Sequence, residues 1–308
     1  MTTLTPSSAG YACINLSLQA AKVTTNRGMI RKTFTERGIA YASALALKNV
    51  QDLLTIVDWN LQQDIRLFRI SSDLFPWASE YRLADLPDFT DIRAKLEAIG
   101  SRPIRLTTHP GPFNQMAGQG KVLDNTIKDL EYQSELFDLM GLKPSHWNKI
   151  NIHVGGAYGD KVATRARFSQ NFYLLSDHLR ARLTVENDDR PSLYTVADLV
   201  PVYERTGIPI VFDYFHHSLN PGLQTEEEAF LMAYATWDVR PVFHFSDSRQ
   251  LHEDPKARRE AHADWLYSRV NTYGKAVDIV YECKLSTGQK WYKVANRLAF
   301  KDSIAQFI

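Results

Sequence analysis

Cysteine is nearly missing from this chain: 308 residues hold two, Cys13 and Cys283. Two thiols cannot build the disulfide framework of a small secreted scaffold, and they point to a reducing compartment. Long apolar runs are missing too. None approaches the roughly 20 residues that span a bilayer, and the opening MTTLTPSSAG lacks the basic and apolar regions of a signal peptide. A cytoplasmic location with no membrane partner is the resulting expectation. Nor is there a bias of charge. The 36 basic and 35 acidic side chains leave +1, a total within which an acidic metal site and a basic binding face can cancel. No linker-like Gly/Ser/Pro tract or low-complexity segment divides the sequence, so a single domain over residues 1–308 is expected. No G-x-G-x-x-G follows the first apolar run, which counts against an open dinucleotide-binding sheet.

What is present is regular. At 44% hydrophobic and 23% charged, the composition is that of a globular protein with ample material for a core. Short apolar runs recur eight times: GYACINLSL, IRLFRI, IRLTTH, INIHVGG, ARLTVEND, IPIVFD, RPVFHFS and VDIVYECK. Between them lie SALALKNVQDLLTIVDWNLQQD, PDFTDIRAKLEAIG, DNTIKDLEYQSELFDLMG, RARFSQNFYLLSDHLR and SLYTVADLVPVYERTG, whose apolar residues recur at the helical spacing of three and four. Gly100, Gly141 and Gly207 close three of these segments in the manner of helix C-termini. Strand and helix alternating in this way predict an α/β fold, a (β/α)₈ TIM barrel.

In such a barrel the chemistry lies at the C-terminal ends of the strands. The third strand ends in His109, the fourth in His153 and the fifth in Glu186. The sixth ends in Asp213 with His216 just beyond, the seventh in His244 with Asp247 just beyond, and the eighth in Glu282. One such residue alone is more often a hydrogen-bonded structural group. Convergence changes that reading. Glu186, Asp213 and Glu282, the candidate catalytic carboxylates, would repel one another at one mouth, and each would carry a heavy desolvation cost. Divalent ions resolve the conflict, and mixed imidazole and carboxylate ligands suit zinc or manganese rather than calcium. The ligands outnumber what one ion needs, so two or three are expected. Such a centre fits metal-assisted phosphodiester hydrolysis. It fits a sugar isomerase equally well, and physics alone does not choose.

The motifs are more specific. RISSDLFPWAS, THPGPF, NIHVGGAYGDK, VENDD, FDYFHH, RPVFHFSDSR, AHADW and YECK occur in this order. Together they closely resemble the UV damage endonuclease family, from GYACINL to about Lys284. The resemblance implies a barrel related to endonuclease IV and xylose isomerase. It implies up to three metal ions per chain, usually manganese, with zinc or magnesium as substitutes. The implied activity is nicking of damaged double-stranded DNA immediately 5′ to cyclobutane pyrimidine dimers and 6-4 photoproducts, and for some members at abasic sites, by a monomer. Carried over by position, His109, His153 and Glu186 resemble the ligands of one ion; Glu186, Asp213, His244 and Glu282 those of the next; His216 and His262 those of a third. His217 is expected beside the ligands and His252 in solvent.

Three departures stand out. Glu80 follows RISSDLFPWAS where the family usually has a histidine, and Val242 stands where many members carry a lysine that can be carboxylated. Pro112 and Phe113 replace a Gln-Tyr pair that wedges into the duplex, with Asn114 following. An aromatic ring can still fill the space of an extruded base, because base stacking is sequence-tolerant. Lys161, Arg165, Arg167, Lys256, Arg258 and Arg259 are the leading phosphate-contact candidates, joined by Arg27, Arg31 and Lys32. Tyr11 and Asn15 match family positions near the lesion pocket. The competing readings are a sugar isomerase or epimerase on the same barrel, and a lesion-binding protein without catalysis.

Overall fold

The computed structural model describes residues 8–283. The first seven residues and the stretch from Lys284 onward, which includes WYKVANRLAFKDSIAQFI, lie outside them. The eight strands are β1 (Ala9–Ala12), β2 (Leu67–Ile70), β3 (Arg105–Thr108), β4 (Ile150–Ile152), β5 (Leu183–Glu186), β6 (Ile210–Val211), β7 (Val242–Phe245) and β8 (Asp278–Tyr281). All pair in parallel, in the order β6-β5-β4-β3-β2-β1-β8-β7. The ring closes between its two ends, where Asp213 bridges His244 and the His244 amide donates to the Phe212 carbonyl at 3.0 Å. Every expected strand is present, and the fold is the expected barrel.

The connecting helices are α1 (Arg31–Gln62), α2 (Phe89–Gly100), α3 (Lys121–Leu139), α4 (Lys161–Phe172), α5 (Asp177–Arg180), α6 (Val196–Thr206), α7 (Tyr214–Leu219), α8 (Glu226–Tyr234) and α9 (Arg249–His252). The apolar spacing locates α1, α2, α3 and α6. It merges α4 with α5, which separate where the Ser176 side chain caps a new helix start. It misses α8, a short helix announced only by the Thr225–Glu228 capping box. Of the three glycines read as helix stops, Gly207 adopts φ 74° and caps α6. Gly100 serves a different need: a Cβ there would lie 1.7 Å from the Met140 carbonyl oxygen, so glycine lets α2 approach the end of α3. No helix among the described residues is long and apolar enough to cross a membrane.

The main core lies between the strands and the surrounding helices, for example Phe68, Ile152 and Val185 against Leu53, Phe137 and Leu199. Inside the barrel, Leu67, Val242 and Val280 form a small apolar plug. Val242 is thus a packing residue, two positions below His244. Beneath the plug, the floor is ionic. Arg105 Nη1 lies 2.8 Å from Asp278 Oδ2, Arg240 Nε lies 3.0 Å from Oδ1, and the Arg105 guanidinium stacks 4.0 Å from the Trp147 ring centroid. Breaking a buried pair by removing one partner strands the other charge. Asp278→Ala should therefore destabilise the protein by about 3–5 kcal/mol. Urea unfolding would check this, and a loss below about 1 kcal/mol would mean that the floor is solvated.

Candidate functional site

Glu186 closes β5, whose four residues are all buried. A lone buried carboxylate is costly, but here both oxygens have partners. His109 Nε2 lies 3.2 Å from Oε2 and His153 Nε2 lies 3.9 Å away, while the Asn151 amide donates to the same oxygen. At Oε1 stand His244 Nδ1 at 3.1 Å and His216 Nδ1 at 3.3 Å. Burial pushes the Glu186 pKa up, yet His244, His153 and His109 outweigh it and hold the carboxyl well below its usual range.

Two more carboxylates face the same space. Asp213 caps α7, accepting from the His216 amide at 2.8 Å through Oδ1. Its Oδ2 is buried and accepts no hydrogen bond among the described residues. Burial, with Glu186 and Glu282 adding their repulsion, pushes the Asp213 pKa up to about 7. Glu282 follows β8, with Oε1 3.2 Å from His244 Nδ1 and in contact with the Arg69 guanidinium. Burial would raise its pKa, but Arg69 and His244 hold it below the usual range. His153 Nδ1 lies 3.0 Å from Asp188 Oδ1. Despite the opposing effect of burial, Asp188 and Glu186 push the His153 pKa up to about 10.

All eight expected ligands therefore converge. His262 is not on a helix: it pairs with Ser248 in an antiparallel bridge beside β7. Its Nδ1 is 2.8 Å from Ser246 Oγ and 3.8 Å from Glu282 Oε2, and its ring is 6.1 Å from that of His216. Ligand atoms of His109, His153 and Glu186 lie within 4.8 Å of one another, as do those of Glu186, Asp213 and His244. The two sets share Glu186, which offers different oxygens to each side. Imidazole nitrogens, carboxylate oxygens and the unpartnered Asp213 Oδ2 make a donor set that fits a zinc- or manganese-type ion.

Four groups in this cluster carry no mark in the sequence reading: Arg69, Lys149, Asn151 and Asp188. Arg69 reaches Glu282 from β2 across the small side chain of Ala12. Lys149 is fully buried, with Nζ 3.1 Å from His244 Nε2, and burial brings its pKa down to about 7. Asp188, inside VENDD, had the clearest signal. Asp247 instead organises its own loop, accepting from the amides of Tyr267 and Ser268 at 2.8 and 3.2 Å.

Other expectations need correction. Glu80 lies outside the cluster, exposed and paired with Arg31 at 2.8 Å. Tyr11 packs outward against α1, its hydroxyl donating to Asn60 at 2.8 Å, and Asn15 is buried, capping the turn at Leu18. Neither is presented on an open face. Asn114 is buried as well. Its amide donates to Gly111 O at 3.2 Å and Asp129 Oδ2 at 2.7 Å, locking a turn closed by the Asn114 N–H on Gly111 O at 3.1 Å. That turn lifts Pro112 and Phe113 outward, and Phe113 is 89% exposed. Lys161 and Arg165 are engaged within the chain: both pair with Asp198 at the start of α6, at 3.3 and 3.1 Å. Arg27 binds Asp52, Arg167 donates to Ala117 O, and Lys32 faces Glu36 at 3.9 Å. Lys256, Arg258 and Arg259 are exposed beyond β7, with Arg259 donating to Leu219 O at 3.0 Å. His217, expected beside the ligands, is buried against Phe212 off the cluster, whereas His252 is exposed as expected and stacked on Tyr267.

A profile of the UV-endonuclease UvdE family matches residues 7–304. The chain belongs to the UvdE family. It is 34% identical over 276 residues to the UV-damage endonuclease of Schizosaccharomyces pombe, covering 84% of this chain but only 45% of that protein. It is 32% identical over 228 residues to the UV DNA damage endonuclease of Bacillus thuringiensis subsp. konkukian, covering 71% of this chain and 68% of that one. Among solved structures, SacUVDE superposes with a TM-score of 0.79 at 26% identity, covering 98% of this chain and 100% of that one. Endonuclease IV from Thermus thermophilus and an L-ribulose 3-epimerase share the fold, with TM-scores of 0.52 and 0.60 at 13% and 14% identity. At that distance the likeness concerns the barrel alone.

Affinity of this UvdE site for divalent ions should rise with pH. An ion entering beside Glu186 must displace the proton on His153, whose pKa is raised to about 10, and that on Asp213, raised to about 7. Calorimetric titration with manganese should show proton release near neutral pH and tighter binding at pH 8 than at pH 6. Equal affinity at both would contradict the protonation states assigned here.

Proposed function

We propose that this UvdE-family protein is a metal-dependent endonuclease that nicks damaged double-stranded DNA immediately 5′ to cyclobutane pyrimidine dimers and 6-4 photoproducts, with abasic sites as further substrates. The observation that carries the reading is the gathering of His109, His153, Asp213 and His244 about Glu186, with His216, Glu282 and His262 packed against them and the exposed Phe113 raised on the neighbouring β3 loop. In this reading His109, His153 and Glu186 hold one ion and Glu186, Asp213, His244 and Glu282 a second. His216 and His262 hold a third. Manganese, with zinc or magnesium as substitutes, would supply Lewis acidity at the scissile phosphate and lower the pKa of a water molecule there.

The chain's own residues prepare the site. Asp188 at 3.0 Å from His153 Nδ1 orients that ring, and Lys149 at 3.1 Å from His244 Nε2 orients the other. Arg69 steadies Glu282. Phe113 fills the space vacated when a damaged pair leaves the stack. Damaged bases unstack at lower cost, which makes deformability rather than base-edge readout the source of selectivity. Lys256 and Arg258 meet backbone phosphates. The protein acts as a monomer in the cytoplasm.

The deciding assay is nicking of an end-labelled duplex carrying one pyrimidine dimer, with manganese and with chelator. A manganese-dependent cut directly 5′ to the dimer is expected. Tight lesion binding without a cut would mark a binding protein, and neither would send the reading back to a sugar isomerase. Glu186→Ala removes the side chain shared by two ligand sets. It should cost more than the roughly 10- to 100-fold typical of outer-sphere partners. Near-normal nicking by this variant would refute the ligand assignment.

A further inference from the structure

Within NIHVGGAYGDK, the tyrosine has no part in the cluster, yet it is placed with care. Tyr158 follows β4, five residues beyond His153, and adopts φ 48°, a left-handed conformation unfavourable for a bulky residue. Such strain persists only where the surroundings enforce it, and it concentrates at functional sites. The surroundings here are three. Gly155, at φ 94°, lets the β3 loop close in: a Cβ there would meet Gln115 Cγ at 3.3 Å. Gln115 then accepts a hydrogen bond from the Tyr158 hydroxyl. The Arg167 guanidinium, anchored on the Ala117 carbonyl, sits 5.3 Å from the Tyr158 ring centroid.

A tyrosine ordinarily buries its ring and leaves the hydroxyl to find water or a partner. Tyr158 reverses this: the hydroxyl is tied down and the residue remains 56% exposed. The tie runs to the loop that carries Phe113, two residues before Gln115. Two exposed rings thus stand on adjacent loops, those that follow the strands ending at His109 and His153, and the bond from Tyr158 to Gln115 joins the two loops. We propose that Tyr158 is a second base-stacking residue of this face, taking an unpaired nucleobase on its ring while Gln115 couples it to Phe113. This rests on the reading of the protein as a DNA enzyme, and it adds a specificity-determining residue to it. Arg167 strengthens the platform, since a guanidinium beside a ring favours a stacked base next to a phosphate backbone.

The test compares the full-length protein with Tyr158→Ala, Tyr158→Phe and Tyr158→Trp, in chelator so that no strand is cut. Fluorescence anisotropy reads affinity for a labelled duplex with one pyrimidine dimer and for its undamaged twin. Tyr158→Ala should lose about 5- to 150-fold on the damaged duplex, the range expected for one lost base stack, and far less on the undamaged one. Tyr158→Phe and Tyr158→Trp should keep most of the affinity. Tyr158→Ala binding within twofold of wild type, losing equally on both duplexes, or being matched by Tyr158→Phe would overturn the proposal. A second titration, with a single strand containing 2-aminopurine, reads stacking directly as quenching, which Tyr158→Ala should reduce and Tyr158→Trp retain. Wild-type protein that treats both duplexes alike would contradict the endonuclease reading, and the single-strand titration would then decide the role of the ring. Absence of any DNA binding by the wild type would end both.

Discussion

Everything at the mouth of this barrel is arranged around one buried negative charge, that of Glu186. Four imidazoles and the Asn151 amide crowd its two oxygens, and without them a carboxylate at 1% exposure would cost several kcal/mol. The same requirement extends downward. The Arg69 guanidinium and the buried Lys149 amine lie beneath three carboxylates, then the plug of Leu67, Val242 and Val280 separates that layer from the Arg105–Asp278–Arg240 floor. The interior of the barrel is thus a stack of charge, apolar packing and charge again. Asp213 is the group left unbalanced: its pKa rises and one oxygen accepts nothing among the described residues. A cation is what this arrangement still calls for.

The rim follows a different logic. Basic residues that appear free along the sequence are largely engaged in holding the loops in place. Asp198 alone engages Lys161 and Arg165, tying the β4 loop to the start of α6. Rigid loops in turn allow apolar side chains to stand in water. Phe113 is raised on a turn that Asn114 locks, and Tyr158 is tethered through Gln115. Energy that could have gone into phosphate contacts goes into a preorganised face, the arrangement expected where selectivity depends on how readily a damaged duplex deforms.

The strands and the candidate ligands were legible because both obey simple geometry. Buried parallel strands read as short apolar runs, and a barrel brings the residues at their ends to one mouth. His109, His153, Glu186, Asp213, His216, His244 and Glu282 could be located this way, while His262 and the grouping of His216 with it rested on the family resemblance. What stayed hidden depends on partners distant in sequence. Lys149 lies before its strand among polar residues, and only the barrel's curvature brings it under His244. Arg69 reads as a strand residue until Ala12 is seen to leave room for it. Lys161 and Arg165 look like a phosphate-binding run, and nothing local reveals Asp198, more than 30 residues away. Tyr11 and Asn15 match family positions and Glu80 stands where the family usually has a histidine, yet their side chains turn to Asn60, Leu18 and Arg31.

The central claim is that the Glu186 cluster is a metal centre bridged by that carboxylate. Anomalous diffraction from crystals grown with manganese tests it most directly. The account predicts peaks on both sides of Glu186, one within coordination distance of His109 and His153, the other of Asp213, His244 and Glu282. Manganese found only elsewhere on the molecule, with this cluster unchanged, would contradict it.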